Sequence, residues 1–290
     1  MPIRSHSDRA KELSQAIDDF EQENGLLPGL STAQRRATWI AQIISSLRRI
    51  DYVRGLLQRP IEPSRCDPHD ILFDPIKAAA YLGKQGQRDE AVWMTFVATH
   101  FGKHLTDGWK LASKVIGSFD QGPVWTVAQY GSNQPQFEQM LQNNRPALED
   151  MGISGRFSNH RQYQSKKPEI ISAVFRTFHD WLYQQGGFDN LIHSIHIAHG
   201  QEPTGAFDAL YRSLDAVFGF GRLGKFDFLT MVAKLELAPI EAGSTYMVGA
   251  TGPLSGAKLL FHNDTKYKVT AAKIGPQVDG LDDYLKVGKQ

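Results

Sequence analysis

GAFDALYRSLDAVFGFGRLGKFDFLTMVAKLE, residues 205–236, decides the fold. Phe207, Leu210, Leu214 and Val217 repeat at helical spacing from a start at Thr204 or Gly205, and a second helical pattern covers 223–236. Between them, Gly219 and Gly221 permit a tight turn with positive φ and a close approach to another surface. The second helix starts about Arg222–Leu223. Its first-turn amides suit a phosphate, and Arg222 and Lys225 add mobile positive charge. Such a helix-hairpin-helix grips a nucleic-acid backbone without reading its sequence. The competing reading of the same residues is an ordinary αα-corner. Gly219–Gly224 also spells GxGxxG, but it follows a helix and not a strand, so the dinucleotide-binding context is missing.

Outward from this segment the dominant period stays helical. Residues 36–58 carry Trp39, Ile40, Ile43, Ile44, Leu47, Ile50, Val53, Leu56 and Leu57 in one i, i+3/i+4 stripe, with Ser31 or Thr32 as N-cap and Pro60 as the stop. Further helices are expected at about 8–24, 74–83, 87–102, 106–117, 135–146, 168–186, 188–199 and 255–262, with Asp74-Pro75 as a capped start. Strand signals reduce to Tyr267–Thr270. Residues 118–134 and 151–168 read as loops, the second polar, basic and aromatic at once. The expected fold is all-α, as a single domain over 1–290.

Lys and Arg total 32 against 31 Asp and Glu, so a strongly polyanion-like or polycation-like chain is excluded. The near-neutral total hides segregation. Residues 1–30 set Arg4, Arg9 and Lys11 against Asp8, Glu12, Asp18, Asp19, Glu21 and Glu23. Residues 31–65 set seven arginines against Asp51 and Glu62, and 156–167 hold Arg156, Arg161, Lys166 and Lys167 without an acid. Such patches can bind a polyanion or can be solvated faces. No apolar run is long enough to span a bilayer, MPIRSHSDRAKELSQ has no apolar signal core, and Cys66 has no partner for a disulfide within the chain. A cytoplasmic protein is expected.

Several chemistries lose their motifs. HExxH, paired CxxC, GxxxxGK[ST] and GxSxG are absent. His193, His196 and His199 step about 60° around a helix and do not converge on one ion, and His100 and His104 in THFGKH are separated by Gly102. No metal or redox cofactor is expected.

Five blocks carry a resemblance: DPIKAAAYLGKQGQRDEAVWMTFVATHFGKH (74–104), FSNHRQYQS (157–165), FDALYRSL (207–214), FGRLGKFDFLTMVAKLEL (220–237) and GATGPLSGAKLLF (249–261). Together they resemble the alpha-glutamyl/putrescinyl thymine pyrophosphorylase clade 3 family. The hairpin itself resembles that of base-excision DNA glycosylases, and Trp39–Val53 resembles the early helix that faces the duplex there. The resemblance implies a helical relative of the glycosylase fold among proteins acting on hypermodified phage pyrimidines. Some bacterial members are implicated in antiviral defence, removing glucosylated hydroxymethylcytosine. It thus implies a monofunctional glycosylase whose partner is DNA carrying hypermodified pyrimidines, with no membrane and no obligatory protein partner.

Residue by residue, the catalytic acid expected some twenty residues past the hairpin is missing, because Tyr246–Thr251 hold no acid, and Leu223 stands where a Schiff-base lysine would. Asp227, four residues after Leu223 and on the same helix face, becomes the candidate, with Asp208 and Asp107 as competitors. Its other reading is a buried structural carboxylate. Asn159 and His160 are candidate donors to the leaving base. Tyr163, His100, His104, Trp109 and Leu223 are candidates for the base and sugar pocket. Arg48, Arg49, Gly219, Gly221, Arg222, Lys225, Gly252, Gly256 and Lys258 are candidates for DNA contact, Arg48 and Arg49 either on phosphate or in the gap left by a flipped base. Two rival functions remain: a transferase acting on hydroxymethyl-pyrimidine DNA, and a non-catalytic module that senses modified DNA.

Overall fold

The structure is a computed structural model that describes residues 7–289. Arg4, with the rest of the first six residues, and Gln290 lie outside the described residues. The described chain forms fifteen α-helices, and its single β-bridge joins His104 to Gly108. Residues divide into two compact units, one from Met1–Val53 with Ala242–Gln290 and one from Arg54–Glu241. The local pattern marks no such boundary, since the first unit is assembled from the two ends of the chain.

The terminal unit is built on α1 (Ser7–Asn24), the first part of α2 (Ala33–Leu57), α14 (Thr251–His262) and α15 (Ala271–Leu285). Leu13, Ile17 and Phe20 of α1 pack with Ile40 and Ile44 of α2 and Leu281 and Leu285 of α15. Phe20 meets Tyr284 edge-on at 5.4 Å. Gly29 is required by contact: a Cβ there would sit 2.2 Å from the Leu259 carbonyl oxygen of α14. Part of the charge segregation is consumed here, because Arg36 pairs with Asp18 and Glu21. Thr32 Oγ1 accepts from the Arg35 amide, so the cap expected at Ser31 or Thr32 falls on Thr32. Tyr267–Thr270 forms no strand; Thr270 is instead the N-cap residue of α15, a helix the sequence reading did not place.

The central unit holds α3 (Pro75–Lys84), α4 (Arg88–Phe101), α5 (Lys110–Ile116), α6 (Val127–Ser132), α7 (Gln134–Asn143), α8 (Arg145–Glu149), α9 (Met151–Ser154), α10 (Pro168–Tyr183), α11 (Phe188–His199), α12 (Pro203–Ser213) and α13 (Arg222–Lys234). From Ala91 to Phe101 α4 carries no formal charge, and every residue of that run is buried, as expected of a helix apolar on all sides. Trp93 donates through Nε1 to the Trp125 carbonyl at 2.9 Å, and Phe96 stacks on Phe178 at 3.9 Å. Asp74 caps α3 as expected, Oδ1 accepting from the amides of Ile76 and Lys77. The expected start at Thr204 or Gly205 is corrected to Pro203, because Glu202 Oε2 accepts from both Thr204 and Gly205 amides. Residues 118–134 contain α6, whose cap Thr126 accepts from the Gln129 amide.

Glu90 ties α4 to α6. Its Oε2 accepts from the Val127 amide at 2.8 Å, while Oε1 is buried without a hydrogen-bond partner among the described residues. Burial, with Asp89 beside it, lifts the carboxyl to about 7 against the opposing Val127 hydrogen bond. A carboxyl raised on folding binds its proton more tightly folded than unfolded, so stability falls as pH rises from about 4.5 to 7 and then levels off. Glu90→Gln removes the ionisation. Its stability relative to wild type should therefore improve between pH 5 and 8.5 by about 1–3 kcal/mol, read as a pH-dependent difference in Tm. An equal difference at both pH values would show that Glu90 does not titrate there.

Candidate active site

α12 and α13 are joined through a 3-10 turn, Leu214–Ala216, and a bend that ends at Gly221. Gly219 has φ +73°, whereas Gly221 has φ −73° and ψ −176°, extended backbone open to any residue. The expectation of two left-handed glycines is thus corrected to one. Phe220 between them is buried against Phe96, Phe178 and Phe228 and holds the bend to the core. Phe218 N–H donates to Thr177 Oγ1 at 2.9 Å. Both glycines remain exposed, and α13 begins with no side-chain cap, which leaves the start of the helix suited to an anion.

The two cations expected at this start differ. Arg222 lies over the Phe226 ring at 4.9 Å. Lys225 is not a mobile charge: it is 7% exposed, bonds Asp215 Oδ1 at 2.5 Å and lies over the Tyr211 ring at 4.1 Å. Its long apolar stem lets the chain bury while the ammonium finds Asp215.

One turn beyond Leu223, Asp227 faces a cavity of about 280 Å³. Arg161 holds it: Nη2 donates to Asp227 Oδ2 at 2.6 Å, and Nε donates to the Thr99 carbonyl of α4 at 2.7 Å. Arg161 is 5% exposed whereas the Asp227 side chain is 42% exposed. The guanidinium is thus fixed inside the wall and the carboxylate reaches into the opening. His160, Ser158, Trp109 and Lys103 share that lining, with Lys234 from the far end of α13. Asp227 is the one carboxylate among the described lining residues.

The structure brings Asp227, His160 and Trp109 together. Asn159 and Tyr163 are exposed on the same loop and do not line the cavity. Leu223 is on the first turn of α13, half-exposed and also outside the lining. His100 is corrected to a core residue: it is 1% exposed and enclosed by Phe96, Phe101, Phe157 and Phe175. Burial, with Arg161 nearby, pushes it down to about 3, so it stays neutral. His104 is corrected to a turn-forming residue, since its Nδ1 accepts from the amides of Asp107 and Thr106.

The competing acids are engaged elsewhere. Arg156 grips Asp107 through Nε and Nη2, at 2.8 and 2.9 Å, and holds that carboxyl well below the usual range. Asp208 pairs with Arg212 at 2.6 Å on α12. Arg48 and Arg49 lie on α2, and Gly252, Gly256 and Lys258 on α14, all in the terminal unit. Gly252 and Gly256 are corrected from a turn to positions inside α14; the preceding turn uses Gly249, at φ +76°. Among the described residues no group of three or more His, Cys, Asp or Glu is placed to hold a metal ion, and no helix is long and apolar enough to cross a membrane. Arg161 is the residue the sequence reading missed. It counted there as one charge of a basic loop, and nothing local marks it as buried.

The architecture is thus all-helical, with an exposed glycine bend ahead of α13 and a cavity lined by the Asp227 carboxylate of that helix. The chain belongs to the alpha-glutamyl/putrescinyl thymine pyrophosphorylase clade 3 family, whose profile matches residues 34–290. No curated protein and no solved structure matches the chain significantly.

Proposed function

We propose that this protein is an enzyme of modified DNA: a monofunctional glycosylase that excises a hypermodified pyrimidine, glucosylated 5-hydroxymethylcytosine by preference. It leaves an abasic site in invading phage DNA in the cytoplasm. The observation that carries this reading is the placement of Asp227, held by the buried Arg161 at 2.6 Å on the helix that starts at the exposed glycine bend. The bend and the start of α13 take the sugar-phosphate chain. The cavity, just below the roughly 300–1,000 Å³ of small-molecule sites, takes the everted base. Asp227 stabilises the positive charge that develops on the sugar or orients the attacking water. His160 and Lys103 are the donors that meet the negative charge on the departing base.

Purified protein is incubated with phage DNA bearing glucosylated or unglucosylated hydroxymethylcytosine. Mass spectrometry of the released small molecules should show the free modified base, and the DNA should become alkali-sensitive. Release of no base from any hypermodified DNA overturns the reading.

The lining favours a second reading, a transferase that displaces an activated anionic group from a hydroxymethyl-pyrimidine, in keeping with the family's name. Lys103, Lys234 and Arg161 face one carboxylate, a balance that suits an anionic leaving group. That reaction leaves an altered nucleoside still attached to deoxyribose, which mass spectrometry of digested DNA separates from base loss.

A further inference from the structure

Leu105 is 88% exposed, which alone means little on a protein surface. Its mounting is unusual. The turn that carries it is closed by reciprocal backbone hydrogen bonds between His104 and Gly108, at 2.9 and 3.0 Å. Inside the turn His104 Nδ1 accepts from the Asp107 amide at 3.2 Å. Outside it Arg156 clamps Asp107 through two hydrogen bonds and reaches Thr106 Oγ1 at 2.9 Å. A leucine is thus held out into solvent on a rigid support. The two stems of the turn line the Asp227 cavity, Gly102 and Lys103 on one side and Trp109 on the other. Lys103 is itself well exposed, its ammonium 3.8 Å from Asp74 Oδ2, and brings positive charge to the rim of the cavity.

We propose that Leu105 is a wedge that enters the base stack of duplex DNA as the target nucleotide leaves it. This rests on the glycosylase reading for the destination of that nucleotide. A base drawn into the cavity leaves a gap, and an apolar side chain inserted from the rim fills it and opposes collapse of the stack. Rigidity matters because a loosely held leucine would withdraw instead of keeping the gap open. The role is one of positioning: Leu105 holds the duplex open and does not touch the reacting bond.

The probe is a synthetic duplex with one glucosylated 5-hydroxymethylcytosine beside a 2-aminopurine, together with the same strand unpaired. Wild-type protein should raise 2-aminopurine fluorescence on the duplex. Leu105→Ala should lose most of that rise and release base from the duplex at least about tenfold more slowly, while processing the single strand at nearly the wild-type rate. Leu105→Phe, which keeps an apolar wedge, should retain both. Equal loss on duplex and single strand, or no loss on either, overturns the wedge. If wild type releases no base, the glycosylase reading falls but the fluorescence still decides. A rise abolished by Leu105→Ala supports the wedge; an undiminished rise, or none with wild type, overturns it.

Discussion

On the glycosylase reading, Asp227→Asn should lower the rate of base release by about 10²–10⁴-fold and leave DNA affinity nearly unchanged. Asparagine has the shape of aspartate and keeps an oxygen for the Arg161 bond now made at 2.6 Å, so the wall of the cavity should hold. What disappears is the negative charge. In the transition state of glycosidic cleavage the sugar carries positive charge, and a fixed carboxylate in a partly desolvated cavity stabilises it far more than an amide can. The substrate carries no such charge before the bond stretches, so binding should barely respond. Single-turnover formation of alkali-labile sites gives the first quantity and fluorescence polarisation of labelled duplex the second. Asp208→Asn is the control: that carboxylate is paired with Arg212 on α12, away from the cavity lining, and its loss should leave the rate near wild type. If the protein only senses modified DNA, Asp227→Asn will change nothing that the wild type does.

The contrast between Asp227 and Arg161 shows what a linear sequence carries. That Asp227 lies beside a cavity was expected from the helix face it shares with Leu223, a face that the resembled fold turns toward a pocket. The place of Arg161 was not, because its burial depends on Asp227, 66 positions away, and on a carbonyl of α4. Lys225 misled in the same way, its partner Asp215 being ten positions upstream across the bend. His100 looked like a ligand of sugars because a histidine carries no mark of its depth; only the four phenylalanines around it make it core. Helices with a continuous apolar stripe or a capped start, such as α3 and α4, were plain. α15 was not, since Gly275, Pro276 and Gly280 each argue against a helix. It forms because Ile274, Leu281 and Leu285 are buried, and tertiary burial of that kind outweighs propensity.

The second large effect is expected at Gly102, where backbone geometry and the Ser158–Arg161 turn meet. Gly102 ends α4 with φ +64° and ψ +157°, a region that is essentially closed to residues with a Cβ. A Cβ there would also lie 2.1 Å from Ser158 Oγ and 2.7 Å from Ser158 Cβ. The hydroxyl can rotate away; the Cβ moves only with its backbone. That backbone is what seats Arg161, since Ser158 N–H donates to the Phe101 carbonyl at 3.0 Å and the Ser158 carbonyl accepts from Arg161 N–H at 2.8 Å. Gly102→Ala should therefore cost about 2–4 kcal/mol and lower Tm by roughly 3–7 °C. Base release should fall at least about tenfold as the Arg161–Asp227 geometry is lost. Gly86→Ala separates strain from collision: Gly86 has φ +73° with nothing within 4 Å of an added Cβ, so it should cost about 1 kcal/mol and spare activity. Adding Ser158→Gly to Gly102→Ala removes the collision but not the strained φ. The double variant should regain much of the activity while recovering only part of the stability. Full activity in Gly102→Ala alone would mean that the Ser158–Arg161 turn tolerates displacement, and that Asp227 does not need Arg161 where the structure puts it.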